Sequence, residues 1–175
     1  ELARYTDEKP IASSRGCPNK CTYCAAARNM GRKFRMRSAT DVVDEIEFWY
    51  AQGYRQFQFL DDSFSFERKR AYEVCDQIEK RKLTGLFLRA TNGLRADRVD
   101  RPLLARMKEV GMTHISIGVE AGNNKVLRNI KKGETIEVLD KAIASACDVG
   151  FDVNLTFLVG SPGETWDDVM DSTRL

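Results

Sequence analysis

Three cysteines, Cys17, Cys21 and Cys24, share the run RGCPNKCTYCAAA with the spacing C-x3-C-x2-C. The chain's five cysteines are odd in number, and this spacing is too tight for a secreted disulfide framework, so metal ligation is the natural use of the cluster. Structural zinc takes four Cys or His ligands, usually as two pairs. Little else completes such a set. The single histidine, His114, opens a strand pattern, and Cys75 and Cys147 fall inside helical patterns as small core residues. A four-iron cluster is held by thiolates, normally one per iron. Three thiolates leave one iron open, which suits a cluster that binds and activates a ligand better than one that only carries electrons. A non-catalytic module, holding zinc or passing electrons, is the alternative from a different class.

The elements that must position this loop are those of one soluble domain. The 175 residues are 42% hydrophobic and 31% charged, enough for a sizeable core. A net charge of +2 gives no clear nucleic-acid or membrane-surface signal. No apolar run approaches the ~18 residues of a membrane span and no signal-peptide pattern opens the chain, so a cytoplasmic location is expected. The chain starts without methionine and stops as a helix begins, which is expected of one incomplete domain, residues 1–175, of a longer protein.

Short apolar runs alternate with longer amphipathic ones. Strands are expected at residues 9–14, YRQFQFLDD, GLFLRA, HISIGVE and FDVNLTFLV. Helices are expected from the Ser38 N-cap to residue 51, over 67–80, over 101–110 with Pro102 in the first turn, from the Thr135 cap to 149, and from Thr165 onward. Gly53, Gly111 and Gly150 stand where helices close in a left-handed residue. Such alternation argues for parallel strands with right-handed crossovers, in a barrel or an open doubly wound sheet. Either way, ligands gather at the carboxyl ends of the strands.

The cysteine spacing, with Tyr23 just before the last cysteine, resembles the signature of the radical S-adenosylmethionine enzymes, and the resemblance runs over residues 9–175. It implies an α/β fold, a partial parallel (β/α)6 TIM-like barrel truncated after about the fifth strand. It also implies that Cys17, Cys21 and Cys24 hold a 4Fe-4S cluster whose free iron chelates S-adenosyl-L-methionine. Reductive cleavage would then give methionine and a 5′-deoxyadenosyl radical that takes a hydrogen from an unidentified substrate.

Further stretches carry the resemblance. In FQFLDDSFSF, Asp61, Asp62 and Ser63 stand where the family receives the cofactor's amino group, and which acid faces it is left open. In SIGVEAGNNKVLRNIKKG, Glu120 lies near the cofactor, and Lys132, with Lys131 as competitor, falls where a cation pairs with the methionine carboxylate. In NLTFLVGSPGET, Thr156 aligns with a ribose contact and Leu158 with an apolar residue on adenine, while Gly160, Pro162 and Gly163 shape a turn. Arg89 and Asn92 are further contact candidates. These stretches look most like cobalamin-associated methyltransferases and cyclases, with cobalamin bound by another domain; methylthiotransferases of tRNA or protein come second. The implied partners are the substrate and an electron donor such as a flavodoxin or ferredoxin. The cations Arg28, Arg32, Lys33, Arg35 and Arg37 read as a solvated face, with an anionic ligand as the alternative.

Overall fold

The computed structural model describes residues 8–174. The described residues open with β1 (Glu8–Ile11), the short β2 (Ser14–Arg15), α1 (Ala26–Asn29) and β3 (Arg35–Met36). It continues through α2 (Ala39–Ala51), β4 (Gln56–Phe59), α3 (Arg68–Lys80), β5 (Phe87–Leu94) and α4 (Arg101–Glu109). Then come β6 (Met112–Glu120), α5 (Asn124–Asn129), α6 (Ile136–Val149), β7 (Asp152–Phe157) and α7 (Trp166–Ser172).

The main sheet is parallel in the order β1-β4-β5-β6-β7, following the chain without reversal. A doubly wound sheet would reverse its order and carry helices on both faces. Here the long helices α2, α3, α4 and α6 lie side by side, each against the next. The sheet is therefore part of a parallel barrel, and the two alternatives left by strand–helix alternation are resolved in favour of the barrel.

Alternation along the strands explains why one face takes all those helices. Phe57 and Phe59 of β4, Leu88 and Ala90 of β5, and Ile115 and Ile117 of β6 are buried under them. The helices answer with stripes such as Val42, Val43 and Ile46 on α2 and Leu103, Leu104 and Met107 on α4, none exposed at all. The intervening residues line the other face, and several of them are polar. Gln58 donates to Thr91 at 2.6 Å, Asn154 to Ser116 at 3.4 Å, and His114 lies 2.9 Å from Asp152. A polar concave face is what a barrel keeps for a ligand rather than for packing.

Local signals set most boundaries. Ser38 accepts from the Asp41 amide at 3.1 Å, and Asp100 from that of Leu103 at 3.0 Å, each opening its helix. Thr135 stands at the N-cap of α6 but its side chain does not cap; the Ile136 amide donates to Asn124 instead, at 2.8 Å. No sequence pattern announces α1, α5 or the β2–β3 pair. α5 is a short turn capped by Asn123, too brief for periodicity to show.

Gly111 combines a φ of +100° with no space for a side chain, since a Cβ would sit 2.3 Å from the Leu86 carbonyl oxygen. Gly53, at φ +96°, has open space around it. Gly111→Ala should therefore cost more than the ~1 kcal/mol of backbone strain expected for Gly53→Ala, read by chemical denaturation. Equal losses would show that the close approach at Leu86 is relieved cheaply.

Candidate active site at the strand ends

The cysteine loop leaves β1 and crosses the carboxyl ends of the strands. Its first half is clasped to the segment that follows α1. The Cys17 amide donates to the Gly31 carbonyl at 3.1 Å, and Ser14 and Arg15 pair antiparallel with Met36 and Arg35. Gly16 makes the clasp possible: its φ is +91°, and a Cβ would lie 2.4 Å from the Lys33 carbonyl oxygen. The second half is held from the other side, where the Thr22 amide donates to the Ile130 carbonyl at 2.9 Å. Backbone groups thus fix the loop at both flanks, and none of the three thiols is tied in a disulfide.

Asp61 and Asp62 part company. The Asp61 carboxylate is buried and accepts from the Ser13 amide at 2.7 Å and from the Ser13 and Ser14 hydroxyls at 2.5 and 2.7 Å. Arg70 lies 3.5 Å away, also buried, and donates to the Ser13 hydroxyl at 2.8 Å. Burial pushes the Arg70 guanidinium down from its ordinary range, against the pull of Asp61. Asp61 therefore anchors the entry to the cysteine loop. Asp62, half-buried, accepts from the Gly16 amide at 3.1 Å and is the acid beside the loop. Ser63 is turned inward, with its hydroxyl unpartnered.

On the other side, Glu120 ends β6 at φ +69°, a left-handed conformation unusual for a residue with a side chain. The register between β6 and β7 shifts between Gly118 and Glu120, and such a bulge re-aims the side chain. The carboxylate folds back over Gly118, where a Cβ would be 2.4 Å from Oε1, and meets Lys132 Nζ at 3.2 Å. Lys132 is only 7% exposed and also lies 3.4 Å from Glu134, whereas Lys131 is exposed. Tyr23 lies against Glu120 and Cys21; burial first, then the Glu120 carboxylate, raises its phenol far above the ordinary value. Burial also raises the Cys21 thiol, while Lys132 and Arg95 pull it down.

Thr156 stands beside Gly118 in the β6–β7 register and is exposed. The Leu158 amide donates to the Glu120 carbonyl at 2.9 Å, leaving its side chain half-buried. The following turn is architectural: Glu164 accepts from the Gly160 and Ser161 amides at 2.6 and 2.9 Å, and Thr165 with Asp168 forms a capping box. Arg89 pairs with Glu8 at 3.4 Å, and Asn92 donates to the Leu60 carbonyl at 3.0 Å. Cys75 is buried, its thiol pushed up to about 12, and so is an inert core residue. A cavity of about 320 Å³ opens at the opposite end of the strands, near Leu83, Leu86 and Gly111, away from all these groups.

Residues 11–175 match the Radical SAM superfamily. The chain belongs to the radical SAM superfamily. An uncharacterized methyltransferase of Pyrococcus horikoshii is 30% identical over 160 residues, covering 91% of this chain and 34% of the relative. The anaerobic magnesium-protoporphyrin IX monomethyl ester cyclase of Rubrivivax gelatinosus is 32% identical over 166 residues, covering 93% and 29%. Among solved structures, the radical S-adenosylmethionine methyltransferase TsrM of Kitasatospora setae superposes with a TM-score of 0.86 at 21% identity, covering 98% of this chain and 34% of that one. The chain thus spans about a third of the length of these proteins.

Radical SAM enzymes use a 4Fe-4S cluster and S-adenosylmethionine, and the donor chemistry here fits both. Three free thiols lie on one loop, with an acid beside one flank and a buried lysine beside the other. Among the described residues no group of three or more His, Cys, Asp or Glu side chains is drawn together as a metal site. Neither Arg70 nor Arg95 is singled out by spacing alone. Arg70 left one signal: it is a charge on the apolar stripe Arg70, Ala71, Val74, Cys75 and Ile78 of α3. Arg95, donating to the Lys132 carbonyl at 3.2 Å and lying 3.7 Å from Glu134, left none.

Asp61→Asn should destabilise the chain by about 3 kcal/mol by unbalancing a buried pair, while Asp62→Asn should leave denaturation nearly unchanged. Equal effects would contradict the division of labour between them. Gly16→Ala should lower the iron and sulfide bound after anaerobic reconstitution, with the far-UV spectrum retained. Full cluster content in that variant would show that the clasp is not required.

Proposed function

We propose that the chain is the cluster- and cofactor-binding core of a radical S-adenosylmethionine enzyme that acts with cobalamin in a methyl transfer or a cyclisation. One observation carries the catalytic reading: the three-cysteine loop is held between Asp62 and the buried Glu120–Lys132 pair at a single mouth of the half-barrel. When bound, the cluster would supply the one electron for reductive cleavage of the cofactor's sulfonium.

The chain's residues bind, orient and enclose. Cys17, Cys21 and Cys24 give the thiolates. Asp62 accepts from the cofactor ammonium, and Asp61 and Ser63 support that turn from beneath. Lys132 donates one hydrogen bond, to Glu120, and pairs with Glu134 at 3.4 Å by charge alone, so its ammonium keeps donors for the methionine carboxylate. Tyr23 and Glu120 fix the lysine's position; Thr156 meets the ribose and Leu158 the adenine. The polar concave face, with Gln58, Thr91, Ser116 and Asn154, offers the substrate hydrogen bonds.

The cobalamin partner is supported by the similarity to the cobalamin-bound structures of TsrM and OxsB, and methyl transfer by that to the cytidylyl-2-hydroxyethylphosphonate methyltransferase of Streptomyces wedmorensis, 32% identical. A low-potential carrier such as a flavodoxin or ferredoxin supplies the electron, in a reducing cytoplasm. No helix among the described residues is long and apolar enough to cross a membrane.

Cluster-loaded protein given dithionite and S-adenosylmethionine should form 5′-deoxyadenosine well above a Cys24→Ala control. Lys132→Met should weaken cofactor binding about tenfold while leaving iron content unchanged, since a charge-assisted bond is lost. Cleavage no better than the control, from folded and loaded protein, would sink the enzyme reading.

A further inference from the structure

Between Glu8 and Asp41 lie eight lysines and arginines and no acid, in a chain whose net charge is only +2. The fold gathers six of them, Arg15, Lys20, Arg28, Arg32, Lys33 and Arg35, on the exposed surface of the cysteine loop and its clasp. Arg15 and Arg35 face each other across the β2–β3 pair, and Arg32 donates to the Asn19 carbonyl at 3.0 Å. Arg35 donates to the Lys33 and Met30 carbonyls at 3.1 and 2.7 Å. These bonds hold charged heads in place without neutralising them.

Among the described residues none of the six forms an ion pair. Their neighbour Arg37 differs, pairing with Asp41 and Glu45 at 2.6 and 2.5 Å. Six like charges on one clasp repel one another, and nothing local offsets the repulsion. Met30 and Met36 stand among them, 46% and 52% exposed, and arginine with methionine is the composition of protein-binding surfaces. Of the run's two aromatics, Phe34 turns onto Phe66 with ring centres 4.7 Å apart, and Tyr23 lies against Glu120 and Cys21. The collar therefore lacks the row of stacking aromatics that single-stranded nucleic acid takes.

We propose that this collar is the docking surface for an acidic one-electron carrier protein that reduces the cluster. The proposal rests on the cluster reading given above. One electron leaves the carrier, which is oxidised by one, and the cluster gains it; no bond forms or breaks. Electron transfer slows steeply with distance, so the carrier must sit against the cysteine loop. The barrel mouth is reserved for cofactor and substrate, and the collar is the loop's solvent side.

The test uses Arg28→Glu with Lys33→Glu, whose side chains make no hydrogen bond among the described residues. Binding of an oxidised, strongly acidic flavodoxin is measured by calorimetry from about 50 to about 300 mM salt, on cluster-loaded and cluster-free protein. 5′-Deoxyadenosine formation is measured with reduced flavodoxin and, separately, with dithionite. Flavodoxin affinity should fall at least about tenfold with a shallower salt dependence, and flavodoxin-driven cleavage should fall with it. Dithionite-driven cleavage and iron content should stay unchanged. Unaltered affinity would overturn the proposal. So would an equal loss with dithionite, since the cations would then act on the cluster itself. Intact flavodoxin binding with lost affinity for a short single-stranded RNA would assign the surface to nucleic acid and also overturn it. Absence of dithionite-driven cleavage in the unaltered protein is a separate failure, that of the cluster reading.

Discussion

The cysteine loop has to be held in place without tying its three sulfurs in disulfides, and backbone hydrogen bonds meet that demand. Gly31 and Ile130 carbonyls hold Cys17 and Thr22 from opposite sides. Gly16 is the hinge, because only a residue without a Cβ lets the loop lie against the Lys33 carbonyl. The sulfurs themselves take only light contacts, from the Asn19 amide group to Cys17 at 3.3 Å and from the Ala26 amide to Cys24 at 3.4 Å.

The barrel supplies the two sides against which the loop is fixed. Beneath its entry, Asp61 gathers Ser13 and Ser14, with Arg70 completing a buried network. At its exit, the bulge in β6 swings Glu120 back over Gly118 to hold Lys132. A left-handed glutamate is strained, and such strain persists where the surrounding structure fixes the residue. Because the long helices cover a single face, the Glu120–Lys132 pair lies beside the polar face, while the Asp61 network is buried against α3.

The fold was largely legible, since strand–helix alternation and the glycines closing helices survive as local pattern. Only the choice between barrel and open sheet needed the strand order. Cysteine spacing exposed the chemistry at once because the ligands are contiguous. Long-range pairing was not legible. FLDDSF contains two equal acids, and nothing local says that Ser13 and Arg70 will claim the first and Gly16 the second. Lys132 and Lys131 look alike in sequence, yet a left-handed backbone at Lys131 leaves it exposed while its neighbour turns inward. The run from Arg28 to Arg37 reads as an ordinary solvated face; only the β2–β3 pairing shows that four of its five cations collar the cysteine loop.

Everything proposed for this site depends on three thiolates holding a cluster with one iron open to the cofactor. Electron paramagnetic resonance of the reduced, loaded protein tests it most directly, with and without S-adenosylmethionine. The account predicts a 4Fe-4S signal whose shape and g-values change when the cofactor is added. A reduced cluster whose spectrum is indifferent to the cofactor would contradict it.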